Sequence, residues 1–197
     1  MTRIVAGRWA SRRLAASAGA GVRPTAERVR EAVFAHLAAL LGRADGPADG
    51  QLAGLGFLDL FAGTGAVGLE AASRGAGPVR WVEKDPAAAR LIDRCRSSLG
   101  ASGQVSRADV GALLAAPAPA PFDLVWLDPP YAFPTAAVDR LTAAAWANGW
   151  LAADGLLLVE RSGHSDAPSL AGFRETWVRR YGDTRVFFAR QATEGNP

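Results

Sequence analysis

Residues 57–66 read Phe57-Leu58-Asp59-Leu60-Phe61-Ala62-Gly63-Thr64-Gly65-Ala66, an apolar run of strand length that meets two glycines and then a helix-like stretch. The glycines permit backbone conformations that are closed to other residues and let a ligand approach the main chain closely. Strand, tight turn and helix in this order are typical of parallel α/β sheets, which bind ligands at the carboxyl ends of their strands. If Gly68 is counted, the spacing also suits a dinucleotide-binding turn, so the glycines alone leave both ligand classes open.

Around this stretch, short apolar runs alternate with helix-like segments, the spacing expected of successive strand-helix-strand crossovers. The predicted strands are 57–61, 79–83, 104–107, 122–127, 156–160, 176–181 and 185–190, and the predicted helices among them are 66–74, 86–99, 110–115 and 134–148. A turn at Gly182-Asp183-Thr184 makes the last two strands a hairpin. The pattern therefore predicts a seven-stranded, mostly parallel sheet with helices on both faces and a C-terminal antiparallel hairpin.

Upstream of this sheet, the sequence predicts a small extension over residues 1–45, followed by one domain over 46–197. Strands at 3–6 and 12–15 form a small hairpin, and a helix at 25–41, capped by Thr25, carries apolar residues on one face. The glycine-rich stretch 42–56 is expected to be a mobile connector.

The composition limits the class of protein. The chain has 197 residues, of which 49% are hydrophobic and 21% charged, the balance of one globular domain with a real core. One cysteine, Cys95, and two histidines exclude an internal disulfide and a zinc cluster. Early arginines and the lack of a long apolar run argue against a signal peptide or membrane span, so we expect a cytoplasmic protein with no membrane partner.

Positive charge is concentrated at the N-terminus. Residues 1–30 contain seven arginines against one acid, Glu27, although the whole chain carries only +3. The guanidinium group suits phosphate, so this stretch predicts a polyanion partner, with a solvated basic face as the alternative. The residues predicted to contact this polyanion are Arg3, Arg8, Arg12, Arg13, Arg23, Arg28 and Arg30.

Three acids follow or end consecutive predicted strands. Asp59 lies just before the glycine turn, where a carboxylate suits an amine-bearing ligand better than a pyrophosphate. Glu83 ends the second strand and suits paired ribose hydroxyls, and Asp109 follows the third. We expect the three to line one crevice, although each alone is also compatible with a helix N-cap or a surface charge.

A second motif, Asp128-Pro129-Pro130-Tyr131, ends the fourth strand. Consecutive prolines fix φ and remove two backbone donors, so the turn is expected to be rigid, with outward carbonyls that lack internal partners. Asp128 adds carboxylate acceptors, and the Tyr131 ring offers a face on which a planar base stacks. The motif predicts a grip on an exocyclic aromatic amine, and we assign it as the reacting centre.

Together the two motifs resemble the S-adenosylmethionine-dependent amino methyltransferases, which have a Rossmann-like class I fold. Further stretches at 3–7, 23–25, 28–34, 68–76, 156–160 and 181–184 resemble the bacterial RsmD family, so the resemblance covers nearly the whole chain. It implies methylation of the N2 amine of one guanine in 16S ribosomal RNA, on assembled small subunits, by direct transfer without a metal ion. We expect a monomer.

The resemblance also implies roles for individual residues. Asp59, Gly63 and Gly65 would hold the methionine part of S-adenosylmethionine, Glu83 the ribose and Asp109 the adenine amine. The expected cofactor site is completed by Phe61, Lys84, Val110, Asp128, Arg23, Pro24 and Thr25. Asp128, Pro129, Pro130 and Tyr131 would form the catalytic turn.

Other functions remain open at this point. A DNA adenine-N6 methyltransferase would use the same acceptor platform, but the chain lacks an added target-recognition domain. A protein-glutamine methyltransferase resembles Asn-Pro-Pro-Tyr instead, whereas Asp128 stands here. A nicotinamide oxidoreductase would bind pyrophosphate at the glycine turn, and a catalytically idle RNA-binding module would bind RNA without turnover.

Overall fold

The computed structural model describes residues 2–14 and 27–191. These residues belong to two compact units, an N-terminal unit, Met1–Ala108, and a C-terminal unit, Asp109–Pro197. Thr25, the expected helix cap, lies outside the described residues, as do Arg23 and Pro24.

The N-terminal unit contains five strands and three helices in its described part. They are β1 (Thr2–Arg3), β2 (Arg13–Leu14), α1 (Glu27–Leu40), β3 (Phe57–Leu60), α2 (Ala66–Ser73), β4 (Val79–Val82), α3 (Pro86–Leu99) and β5 (Gly103–Ser106). β1 and β2 pair antiparallel, whereas β3, β4 and β5 run parallel with β4 in the middle. All four residues of β3 are buried, as expected for a parallel strand covered on both faces.

The C-terminal unit contains the other elements: α4 (Val110–Leu114), β6 (Phe122–Leu127), α5 (Thr135–Ala147), β7 (Leu151–Ser162), β8 (Glu175–Tyr181) and β9 (Thr184–Arg190). β6 and β7 are parallel, whereas β9 runs antiparallel to both β7 and β8. Gly182 has a φ of 60°, which allows the two-residue turn between β8 and β9. β3 to β9 make up the mixed, mostly parallel seven-stranded sheet that the sequence predicts, and the C-terminal hairpin is confirmed.

Helix signals are strongest at α3. Asp85 is its N-cap and accepts hydrogen bonds from the amides of Ala87 and Ala88, and Pro86 fits the first turn because it has no N–H to satisfy. Gly100, in the left-handed conformation, ends the helix. The predicted bounds, 86–99, are therefore confirmed.

Three predictions differ from the structure. β1 and β2 have only two residues each, and β7 begins five residues before the predicted strand because Leu151 already pairs with Phe122. The stretch 42–56 is packed where a mobile connector was expected. It contains a short 3₁₀ turn (Ala48–Gly50), and the fully buried Leu52 donates its amide to the carbonyl of Arg74 at 2.8 Å. Gly42 and Gly54, with φ values of 66° and 80°, allow turns within it.

Within the described part of the chain, the helices are too short or too polar to span a lipid bilayer.

Candidate active site

The glycine turn between β3 and α2 has an unusual backbone. Phe61, Gly63 and Gly65 have φ values of 60°, 55° and 75°. Such angles cost a non-glycine residue energy, so Phe61 is a strained position of the kind that functional sites retain. A Cβ on Gly65 would lie 2.9 Å from Cγ1 of Ile92, so glycine is needed there for packing as well as for its conformation. The turn is closed by the amide of Gly65, which donates to the carbonyl of Ala62 at 2.7 Å.

Glu83 lies directly after β4 and contacts this turn. Its Oε2 accepts the amide of Gly63 at 2.8 Å, and its Oε1 accepts the amide of Asp85 at 2.8 Å. Each carboxylate oxygen has a second lone pair, so Glu83 can still accept hydroxyl groups of a ligand. The neighbouring Lys84 is exposed. The structure therefore brings together two predicted site residues, Gly63 and Glu83.

Asp59 lies beneath the turn. Its side chain is buried, and Oδ2 accepts the amide of Gly68 in α2 at 2.9 Å. Burial raises the pKa of Asp59 to about 7, the hydrogen bond from Gly68 opposes the rise, and the charge of Glu83 adds to it. The sequence predicts a carboxylate at the strand end that grips an amine-bearing ligand. The structure instead makes it a support that joins β3 to the first turns of α2.

Asp109 is the N-cap of α4, and its Oδ1 accepts the amide of Ala112 at 3.0 Å. This is the helix-cap alternative that the sequence left open for this residue. The carboxylate is exposed, while Val110 beside it is 3% exposed and belongs to the core. Because Oδ1 of Asp109 caps the helix, the other carboxylate oxygen is the one available to a ligand. The side chain of Val110 is buried, so a ligand would contact mainly its backbone.

The Asp-Pro-Pro-Tyr turn follows β6 in the C-terminal unit. Asp128 is half-buried and Pro129 buried, whereas Pro130 is exposed and Tyr131 is 57% exposed. An exposed tyrosine ring is suited to stacking against a base. One expectation was wrong: the Pro130 carbonyl accepts the amide of Phe133 at 2.8 Å, because the chain turns back immediately after the prolines.

An anchor that the sequence did not reveal holds the N-terminal arm (residues 2–14). Glu70 in α2 accepts the amides of Val5 and Ala6, at 2.7 and 3.0 Å, and is itself fully buried. Ser73 accepts the amide of Trp9 at 2.9 Å through its hydroxyl oxygen. The available signal was one charged residue in an otherwise apolar and small-residue helix, AVGLEAAS, because a carboxylate that such a helix buries needs partners.

Arg74 completes the anchor. Its Nε lies 2.9 Å from Oε1 of Glu70, and its Nη1 donates to the side-chain oxygen of Gln51 at 2.8 Å. The guanidinium carbon also lies 5.2 Å from the centre of the Phe34 ring. The arm, α1 and the 42–56 stretch are thus all tied to one buried ion pair.

The arginines predicted to contact RNA divide into two groups. Five of them are exposed: Arg3, Arg8, Arg12, Arg13 and Arg28. Arg30 is 1% exposed, and its guanidinium donates to the Thr2 hydroxyl at 3.2 Å and to the Arg3 carbonyl. The prediction for Arg30 is therefore corrected: α1 uses this side chain to hold β1. Arg23, with Pro24 and Thr25, lies outside the described residues.

Comparison with known proteins adds sequence and fold relatives. The family model described as "Conserved hypothetical protein 95" matches residues 2–190. Ribosomal RNA small subunit methyltransferase D of Escherichia coli is 33% identical over 169 residues, which are 85% of this chain and 78% of that protein. The solved structure of the putative methyltransferase yhhF from Escherichia coli superposes with a TM-score of 0.80 at 29% identity, over 98% of this chain and 99% of the other.

A more distant solved structure shares the fold. The Thermus thermophilus 16S rRNA N2 G1207 methyltransferase RsmC, in complex with AdoMet and guanosine, matches at 22% identity with a TM-score of 0.67. The match covers 89% of this chain and 45% of that one. The family match, which extends over nearly all of the sequence, goes further than fold: this chain belongs to the "Conserved hypothetical protein 95" family, the RsmD family of ribosomal RNA methyltransferases.

Proposed function

We propose that this protein transfers a methyl group from S-adenosylmethionine to the exocyclic N2 amine of one guanine in 16S rRNA of the small ribosomal subunit. The observation that carries the proposal is the Asp-Pro-Pro-Tyr turn at the end of β6, with an exposed Tyr131. It occurs in a chain whose relatives are named ribosomal RNA small subunit methyltransferases. Those names support rRNA over DNA as the substrate.

The N-terminal unit suits the nucleoside part of the cofactor. Glu83 is held against the glycine turn by the amide of Gly63, so an acceptor for ribose hydroxyls and an open backbone lie side by side. We propose that the cofactor-binding residues are Asp59, Phe61, Gly63, Gly65, Glu83, Lys84, Asp109, Val110 and Asp128, with Arg23, Pro24 and Thr25. In this proposal Asp59 contributes indirectly, by supporting the glycine turn that binds the cofactor. S-adenosylmethionine, when bound, would supply an electrophilic methyl group by breaking its S–CH3 bond, giving S-adenosylhomocysteine as the product, and the methylated amine would lose one proton.

The chain's own residues then prepare the amine. The lone pair of an aromatic amine is delocalised into the ring, which makes the nitrogen a poor nucleophile. The two N–H groups of the amine donate hydrogen bonds to the Asp128 carboxylate and the Pro129 carbonyl. These hydrogen bonds favour a pyramidal nitrogen whose lone pair is available. Stacking on Tyr131 holds the base, which must leave its RNA stack to enter the site. The protein thus contributes position and electrostatics, without a covalent intermediate or a metal ion.

RNA contacts come from the N-terminal arm in this proposal. Residues 1–45 serve as an RNA-contacting extension of the 46–197 methyltransferase domain. The exposed Arg8, Arg12 and Arg13 contact phosphates flanking the target, and the exposed Arg28 and Arg3, the latter paired with Glu27 at 3.1 Å, are further contacts. The enzyme would act as a monomer, in the cytoplasm, where ribosomal subunits are assembled.

The test is methyl transfer from labelled S-adenosylmethionine to small subunits that lack the modification, beside naked 16S rRNA, DNA and a reaction without nucleic acid. The expected product is N2-methylguanine in the subunits. Label on DNA or on protein, with none on the subunits, would keep the amine chemistry and reject the substrate. Binding of RNA without any turnover would support the idle RNA-binding module instead.

A further inference from the structure

Arg161 is a buried arginine next to the catalytic turn of the C-terminal unit. It lies near the end of β7 and is 4% exposed. Its Nη2 donates a hydrogen bond of 2.9 Å to the carbonyl of Phe133, two residues after Tyr131. The amide of the same Phe133 donates to the Pro130 carbonyl. One guanidinium therefore holds the residue that closes the Asp-Pro-Pro-Tyr turn.

The charges that face Arg161 include the catalytic carboxylate. Burial lowers the pKa of Arg161, the negative charge of Asp128 raises it, Arg185 lowers it again, and Asp166 raises it. Arg185 stands directly opposite Arg161 in the β7–β9 pair, so two cations share one cross-strand position. Asp128 is thus a principal counter-charge of Arg161.

Stability alone does not account for an arginine at this position. Burying a charge is costly, and like charges directly opposite one another on neighbouring strands are unfavourable. In addition, the buried Nε of Arg161 has no hydrogen-bond partner among the described residues. A residue with these costs is best explained by the group it positions.

We propose that Arg161 is the positioning residue of the catalytic turn: it grips the Phe133 carbonyl and places a positive charge facing Asp128, which keeps Asp128 oriented to accept the N–H of the target amine. This inference deepens the proposed function and rests on it. Arg161 acts through Asp128 and the turn, and makes no contact with the substrate itself. The planar guanidinium group of arginine can donate to the Phe133 carbonyl and also place its charge near Asp128, whereas the ammonium group of lysine is only a point charge.

The test compares three variants of the full-length protein. Arg161→Gln removes the charge and the fork, Arg161→Lys keeps the charge, and Arg185→Gln is the matched control. Arg185 has the same charge and the opposite position in the strand pair, but it donates to the carbonyls of Ser162 and Ser165 and not to that of Phe133. Steady-state methylation of subunits and binding of S-adenosylhomocysteine are measured for each. Hydrogen exchange is followed at the amides of Tyr131, Ala132 and Phe133, since the prolines of the turn have none.

For Arg161→Gln we expect kcat to fall by about 100-fold, the effect of a reacting group displaced by roughly 1 Å. KM for subunits and the affinity for S-adenosylhomocysteine should stay within about twofold of the wild-type values. Amide exchange should rise at Tyr131, Ala132 and Phe133, and Arg161→Lys should recover part of kcat. Arg185→Gln should keep kcat within about threefold of wild type and leave exchange in this segment unchanged.

Equal losses of kcat in Arg161→Gln and Arg185→Gln, in proportion to lower melting temperatures, would overturn the inference by showing a merely structural role. Unchanged exchange at Tyr131, Ala132 and Phe133 in Arg161→Gln would overturn it as well. If the wild-type protein methylates no substrate, the proposed function fails, while the exchange comparison still decides whether Arg161 holds the turn.

Discussion

Glu70 accepts the backbone amide of Val5 at 2.7 Å although the two residues lie 65 positions apart in the sequence. The same carboxylate binds Ala6 and pairs with Arg74, so a buried charge in α2 fixes the path of the arginine-bearing arm. The arm is therefore held in place before any RNA binds. Because the arm is already ordered, it loses less conformational entropy on binding RNA than an unattached basic arm would.

Replacement of Glu70 by alanine should detach the arm. It leaves Arg74 buried without its carboxylate, and loss of one partner of a buried ion pair costs about 3–5 kcal/mol. Denaturant unfolding should show this loss of stability, and affinity for 16S rRNA should fall. Glu31→Ala, which removes an exposed carboxylate from α1, is the control. Equal stabilities of the two variants would contradict the anchoring role.

A methyl group at position 68 should disrupt the packing beneath the glycine turn. A Cβ on Gly68 would lie 2.2 Å from Nε1 of Trp81, which is fully buried. Alanine adds up to about 1 kcal/mol of helix propensity, but overpacking costs about 1–3 kcal/mol, so a net loss of stability is expected for Gly68→Ala. Tryptophan fluorescence during unfolding measures it. Gly46→Ala, where the added Cβ meets only the Arg43 carbonyl at 3.5 Å, should be near neutral.

Asp59 should make stability fall as pH rises. Its pKa is about 7 in the folded protein against an ordinary 3.8, so between these values the folded state holds a proton that the unfolded state has released. Its contribution is fully present below about pH 4 and is lost as pH approaches 7, by about 4 kcal/mol in total. Asp59→Asn should remove this slope from urea unfolding measured between pH 4 and 8.

The control for that series is Asp45→Asn, a change at an exposed carboxylate, which should keep the wild-type slope. A slope that survives in Asp59→Asn would place the titrating group elsewhere.

Asp128→Ala should separate methyl transfer from cofactor binding. Removal of the acceptor should reduce methyl transfer by at least about 100-fold, the usual effect of losing one group that stabilises the transition state. The affinity for S-adenosylhomocysteine, measured by calorimetry, should fall far less than the rate, because Asp128 is only one of the proposed cofactor contacts and acts mainly on the target amine. A loss of cofactor affinity as large as that of Asp59→Ala would contradict the assignment of Asp128 to methyl transfer and of Asp59 to cofactor binding. Asp154→Ala, at an exposed position, is the control.

Local pattern was sufficient for most of the fold. Strands such as Phe57–Leu60 and Phe122–Leu127 are short apolar runs bounded by turn residues, and α3 has its cap, its proline and its terminal glycine within the helix or beside it. Backbone preferences of this kind depend on near neighbours in the chain. For the same reason both candidate motifs are recognisable in the sequence alone.

Contacts between residues far apart in the sequence determined the rest of the fold and of the site. The sequence could not tell exposed Arg28 from buried Arg30, nor show that Asp59 supports α2 from beneath or that Arg161 grips the carbonyl of Phe133. The cost of burying a charge depends on the donors and acceptors around it, and here those groups come from strands and turns distant in the sequence. A residue's type therefore indicates which chemistry it can perform, whereas the packed chain determines whether its charge meets solvent, a ligand or another part of the protein.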